Sequence, residues 1–290
     1  MKTKSTLYAI VCIVGLLLTP SDILAQVDFG PDLGGGQAEA DVRLLIEESQ
    51  VRPGDTAHLG ILIELPPGRH IYWRNPGGIG LPPSIAWAVP AGIKVDEIQW
   101  PIPQKYFASD MYSYVYENQV LLMARLRLGK ALPAGPLKIK ATVEWAECTE
   151  STCYLGKSTA SANLVIGEKK KSGKNTKLFE QWRERIPSQE RPANLSATWV
   201  KISKAGQERS IQFKIHAVNK KSEVDFFPLE PAGVNYKVDP ATRSEYANGV
   251  AILTKQVIIN KGKAPTTILG VLVRDGKGQS AILHLGKAPR

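Results

Sequence analysis

Residues 137–145 read Leu137-Lys138-Ile139-Lys140-Ala141-Thr142-Val143-Glu144-Trp145. Apolar side chains hold every odd position, and Lys, Thr or Glu every even one. Successive side chains of a strand point to opposite faces, so this period of two puts Leu137, Ile139, Ala141, Val143 and Trp145 on one buried face. The stretch predicts a half-buried antiparallel strand, the pattern of a sheet with one face on a core and one in water.

Working outward, His58 to Glu64 alternates in the same way, with Leu59, Ile61 and Ile63 together. Turn signals recur at Pro53-Gly54, Pro67-Gly68, Pro76-Gly77-Gly78, Pro82-Pro83 and Pro133-Ala134-Gly135-Pro136. Short strands separated by such turns predict a β-sandwich. Towards the C-terminus, Ser210 to His216 alternates with Ile211, Phe213 and Ile215 on one face, and Val250 to Ile259 and Thr267 to Val273 are further strands. They predict a second sandwich of about 100 residues, the usual size for that architecture. Between the two lies a basic stretch, Glu168-Lys169-Lys170-Lys171-Ser172-Gly173-Lys174-Asn175. It is followed by Thr176 to Ile186, where Leu178, Phe179 and Trp182 share a helical face until Pro187 stops it. The expected organisation is all-β: residues 1–25 a signal peptide, 26–167 one sandwich, 168–191 a basic linker with a short helix, and 192–290 a second sandwich.

The first 25 residues carry Lys2 and Lys4, an apolar stretch from Leu7 to Leu18, Pro20, and a small residue at Ala25. The apolar stretch is too short for a comfortable bilayer span, so it predicts an export signal cleaved near Ala25; an uncleaved N-terminal anchor is the alternative. Cys12 lies inside that stretch and is expected to leave with it.

The net charge of +10 is uneven: residues 26–167 are net −3 and residues 192–290 net +8. A basic second half suits an acidic partner or anionic headgroups, or is simply a solvated surface. Nucleic acid is not expected, since no helix-turn-helix, zinc finger or aromatic RNA-binding motif is present. Nothing in the chain calls for a cofactor: there is no phosphate-cradling loop, no Ser/His/Asp arrangement and no paired-carboxylate signature.

Cys148 and Cys153 are the only cysteines beyond Cys12. Two cysteines in an oxidising compartment pair. The first reading is a structural staple. A loop this short contributes only about 2 kcal/mol in the chain-entropy model, against about 4.7 kcal/mol for a 100-residue loop, so a domain with a full core hardly needs it. That favours the second reading, an exchangeable redox pair. It is not a Cys-x-x-Cys opening a helix, and Glu147 and Glu150 beside it would raise a thiol pKa by like charge. The third reading is Cu(I), a soft ion that two thiolates and Met111 would suit. His70, Tyr72 and Trp73 read first as packing residues, and Asn75-Pro76-Gly77 as a turn.

Several ordered segments carry a family resemblance. They are Pro67-Gly68-Arg69-His70-Ile71-Tyr72-Trp73-Arg74-Asn75-Pro76-Gly77, then Gly80-Leu81-Pro82, Trp87, Pro90-Ala91-Gly92, Ile98-Gln99-Trp100-Pro101, Tyr114-Val115-Tyr116-Glu117 and the cysteine loop. Over roughly residues 38–167 they resemble the N-terminal periplasmic domain of the DsbD family of thiol:disulfide interchange proteins, in the variant of the suppressor-of-copper-sensitivity protein ScsB. Phe226-Phe227-Pro228 resembles the second extracytoplasmic domain of the ScsB group. The resemblance implies two immunoglobulin-like β-sandwiches and a periplasmic location. It implies a redox role for Cys148 and Cys153, with thioredoxin-like proteins or a membrane electron conduit as partners. It also implies a shielding loop over the pair, for which Phe107, Met111 and Tyr112 are the candidates. The Cys-x4-Cys spacing is one residue shorter than the family's best-known gap. The competing expectation is a redox-inert binding or scaffold protein with a structural disulfide, or a copper-handling protein.

Overall fold

The computed structural model describes residues 36–290 apart from 191, 193–194, 203–207, 217–221, 232, 260–261 and 287–290. The expected signal segment, with Cys12, lies outside the described residues. In chain order the first half runs β1 (Asp41–Ile46), β2 (Glu48–Gln50), β3 (Thr56–Glu64), β4 (His70–Gly77), β5 (Ser84–Ala88), β6 (Ile93–Val95), β7 (Gln104–Ala108), β8 (Met111–Glu117), β9 (Gln119–Leu128), β10 (Gly135–Cys148), β11 (Cys153–Ile166) and β12 (Lys171–Ser172). The helix α1 (Thr176–Arg183) follows. Then come β13 (Leu195–Ile202), β14 (Glu208–His216), β15 (Val224–Leu229), β16 (Tyr236–Val238), β17 (Arg243–Ala247), β18 (Val250–Ile259), β19 (Thr267–Arg274) and β20 (Lys277–His284).

The fold is all-β with two sandwiches, as expected. One sheet of the first is β1-β3-β9-β6; the other is β11-β10-β4-β8-β7, with β5 also paired to β10. The second sandwich packs β13-β14-β18-β16, with β17 on β18, against β15-β19-β20. In β10, Ile139, Ala141, Val143 and Trp145 face the core as their alternation requires. In β3 the alternation fails, because Gly60 and Leu62 are covered too. The helix α1 explains this: Phe179 is fully buried and its ring lies on Gly60, where an added Cβ would stand 2.9 Å from Cζ of Phe179 and 2.6 Å from Cδ1 of Leu121.

The stretch between the sandwiches is therefore packed rather than loose. Its Lys171 and Ser172 pair with β2 as a two-stranded ladder. Lys170 Nζ reaches Glu48 at 3.1 Å, and Arg183 reaches Glu47 at 2.7 Å. Nδ1 of His58 stands 2.9 Å from Glu48 and 3.0 Å from Glu47, completing an ion-pair knot. Burial alone would raise the Glu48 pKa. The hydrogen bonds from the His58 ring and backbone N–H and from Lys170 outweigh it and hold the carboxyl at about 2. A carboxylate whose folded pKa is depressed adds stability above its unfolded value of 4.5, and that stability is lost as pH falls through about 2. Glu48→Gln is expected to lower the urea midpoint at pH 6 and to leave it unchanged at pH 2. Equal losses at both pH values would show that shape, and not charge, holds the strap.

The sandwiches meet through β4 and β8 of the first and β15 and β19 of the second. Phe227 sits between Tyr114 and Trp73, with ring centroids 5.0 and 6.2 Å away. Asn75 Nδ2 donates to the Pro228 carbonyl at 2.8 Å. Lys255 of β18 is almost wholly buried here. Its Nζ donates to the Pro240 carbonyl at 2.8 Å, and those of Asp239 and Ala241 lie 3.3 and 3.4 Å away. Burial pulls its pKa down to about 7, with Asp225 and Asp239 opposing.

Candidate functional site

Strands β10 and β11 are one long hairpin, paired from Gly135↔Ile166 to Cys148↔Cys153. The last pair before the turn is thus the two cysteines, directly opposite each other, and they form a disulfide. The turn closes through Thr149 N–H to the Thr152 carbonyl at 2.8 Å and Thr152 N–H to Thr149 Oγ1 at 3.1 Å. The two sulfur-bearing residues are not equivalent. Cys148 is 1% exposed, whereas Cys153 is open to solvent.

Cys148 is buried because β10 ends beside β4, where its Cα partner is His70. His70 pairs in turn with Glu117 of β8, and Tyr72 with Val115. Residues of equal parity share a face, so Cys148, Ala146, Tyr72 and Val115 pack as one small cluster. Tyr72 Oη donates to Cys148 Sγ at 3.4 Å. Burial, with the nearby Tyr106, raises the Tyr72 pKa, so the phenol stays a donor. Burial also lowers the His70 pKa, which favours a neutral imidazole.

The β7–β8 hairpin continues the same sheet beyond β4. Its two-residue turn, Ser109-Asp110, has φ of 49° and 59°, the left-handed pair that a tight hairpin of this kind needs. The register of β4 with β8 shifts between Tyr72 and Gly77, where β4 bulges, and pairing resumes at Gly77↔Ser113. Tyr106 packs on the Cys148 cluster, its ring 4.3 Å from that of His70. The hairpin reaches the cluster through Tyr106 and Val115, neither of them among the expected shielding residues Phe107, Met111 and Tyr112. Phe107 and Tyr112 have the opposite parity; they pair with each other, rings 4.7 Å apart, and are exposed. Met111 shares the parity of Tyr106 but stands at the turn, exposed. Alternation along Gln104 to Ala108 carried the signal that distinguishes Tyr106 from Phe107.

Glu147 points away from Cys148 and is fully buried. Arg69 donates to it at 2.6 Å, the backbone N–H groups of Glu39 and Ala40 at 3.0 and 2.9 Å, and Trp145 Nε1 at 3.3 Å. Burial would raise its pKa, but these donors together lower it. The like-charge effect expected from Glu147 is therefore taken up by Arg69 and the amides, leaving the exposed Glu150 in the turn.

Among the described residues, the one three-ligand cluster with metal-like spacing is Glu47, Glu48 and His58, and Lys170 and Arg183 already neutralise it. A cavity of about 650 Å³ opens between the sandwiches beside Trp73, Trp100, Gly270 and Ser280, and no cysteine lines it. No helix among the described residues is long and apolar enough to cross a membrane.

Comparison with known proteins agrees with this geometry. The family described as "Thiol:disulfide interchange protein DsbD, N-terminal" matches residues 41–164. The solved N-terminal periplasmic domain of ScsB from Proteus mirabilis is 15% identical, with a TM-score of 0.63 over 86% of this chain and 94% of that one, so the two share a fold. A protein of unknown function from Porphyromonas gingivalis W83 (10% identity, 86% of this chain and 100% of that one) and the titin I-band fragment I67-I69 (11%, 87% and 67%) have TM-scores of 0.26 and 0.22, too low to inform the fold. No curated protein matches the chain. Residues 41–164, with their cysteine hairpin, belong to the family of the DsbD N-terminal domain, a thiol:disulfide interchange module.

Proposed function

We propose that the chain is a periplasmic thiol–disulfide relay that exchanges electrons with thioredoxin-like partners through Cys153 and Cys148. The observation that carries this is the asymmetry of the pair: an open Cys153 bonded to a Cys148 that lies under aromatic side chains and receives a phenolic hydrogen bond. A partner thiolate attacks the Cys153 sulfur, the intramolecular S–S bond breaks, and Cys148 leaves as the thiolate. The second thiol of the partner, deprotonated, then attacks the partner's own sulfur in the mixed disulfide and releases Cys153. Two electrons have passed to this chain, and the partner holds the disulfide. The reverse sequence reduces an oxidised partner.

The hairpin that carries Tyr106 also offers apolar surface to a protein partner. The 79–81 loop and the hairpin tip expose Ile79, Leu81, Phe107, Met111 and Tyr112. The loop and the hairpin touch: Ser113 Oγ donates to the Ile79 carbonyl at 3.4 Å.

The test mixes oxidised protein with reduced thioredoxin, quenches with acid, alkylates free thiols and weighs the products. Transfer of the disulfide to thioredoxin supports the relay. A disulfide left intact, while dithiothreitol still reduces it, would make the chain a scaffold with a structural bridge. Tyr72→Phe should slow the exchange about tenfold to a hundredfold, because a hydrogen bond to a charged sulfur is worth about 1.5–3 kcal/mol. An unchanged rate would remove Tyr72 from the leaving-thiolate role.

A further inference from the structure

We propose that the second sandwich is a clamp on the β7–β8 hairpin, so that docking between the sandwiches sets how readily a thiol reaches the Cys148–Cys153 disulfide. The inference rests on the relay reading above and gives the second sandwich a part in it.

The hairpin is two-faced. Tyr106 and Val115 lie on the cysteine side, against Tyr72 and Cys148. Lys105 and Tyr114 are cross-strand partners of the opposite parity. Both are held by the second sandwich. Lys105 Nζ lies 2.5 Å from Asp225 and donates to Thr242 Oγ1 at 2.8 Å, and Thr242 Oγ1 donates to Asp225 at 2.8 Å. These three side chains form a closed triangle across the boundary, only partly exposed to water. Lys255 Nζ lies 3.3 Å from Tyr114 Oη, and the 239–241 carbonyls that surround this ammonium fix the loop bearing Pro240 and Thr242.

Pro240 packs where β4 rejoins the hairpin after its register shift. A Cβ at Gly77 would stand 2.5 Å from Pro240 Cγ and 3.0 Å from Tyr114 Cδ2, and Gly77 has φ of +80°. Backbone and loop thus meet at Gly77, where β4 pairs again with Ser113 of the hairpin beyond its register shift. The second sandwich adds a second hold on the hairpin through Lys105 and Tyr114. Releasing Lys105 and Tyr114 leaves Tyr106 held over the cysteines by one face alone.

The experiment measures the second-order rate of disulfide reduction by dithiothreitol in the full chain, for Lys105→Met, Asp225→Asn, the double variant and Tyr106→Ala. Hydrogen exchange over residues 104–116 and urea midpoints are recorded for each. The clamp predicts at least a threefold faster reduction for each single clamp variant. It predicts little further gain in the double variant, because the two residues act as one contact. It also predicts faster exchange confined to 104–116, and faster reduction for Tyr106→Ala. Faster reduction in Tyr106→Ala with unchanged clamp variants would overturn the clamp and keep the hairpin cover. No change in Tyr106→Ala would overturn the cover and the clamp with it. Faster exchange spread evenly over both sandwiches would mean that Lys105 and Asp225 only stabilise the chain, and that also overturns the proposal.

Discussion

Cys148→Ser is expected to trap partner proteins as mixed disulfides, whereas Cys153→Ser traps none and exchanges with nothing. The reason is the difference in exposure across one cross-strand pair. With Cys148 removed, the open Cys153 thiol still attacks an oxidised partner, but no second sulfur is present to resolve the product. With Cys153 removed, the remaining sulfur sits under Tyr72, Val115 and Tyr106 and cannot align with an incoming disulfide. Both variants should fold, since a six-residue loop contributes only about 2 kcal/mol of a domain total of about 5–15 kcal/mol. The check is incubation of each variant with an oxidised thioredoxin-like protein, followed by non-reducing electrophoresis and mass analysis. Equal trapping by the two variants would contradict the assignment of Cys153 as the attacked sulfur.

Phe179→Ala is expected to destabilise the first sandwich by about 3–5 kcal/mol, the usual cost of removing a fully buried Phe. Its ring fills the space over Gly60, and no neighbouring backbone can close that gap without moving β3 or β9. Trp182 and Ile186 pack on the same core, and the Arg185 carbonyl accepts the Ile102 N–H at 2.9 Å. A fragment of residues 36–186 should therefore unfold cooperatively with a much higher urea midpoint than one of residues 36–167, which leaves the Gly60 groove open. Equal midpoints for the two fragments would place the domain boundary at 167 and reduce the helix to an accessory.

The parts legible in sequence were those set by local periodicity. The alternation of Leu137 to Trp145 gave the central strand and its inward face, and the cysteines at its end fell on the hairpin's last pair. Less legible were features that depend on distant partners. Glu147 looked like a charge beside the cysteines because Arg69 is 78 residues away in the chain. The basic stretch 168–175 looked like a linker because the carboxylate that Lys170 meets, Glu48, belongs to distant β2. Two signals were present and went unread. Tyr106 follows from the parity of β7 once the hairpin is known to pair beside β4. Lys255 occupies an inward position in the run Ala251, Leu253, Lys255, Val257, Ile259, and a lysine there demands a cage of acceptors.

The claim at the centre of this account is that the Cys148–Cys153 bond exchanges rather than staples. Its reduction potential tests that most directly. The full chain is equilibrated in a series of thiol/disulfide buffers, and the fraction reduced is read from alkylated mass. An exchanging pair predicts a potential above about −300 mV, within reach of thioredoxin-like proteins. A potential well below about −300 mV would mark the bond as a structural bridge and contradict the relay.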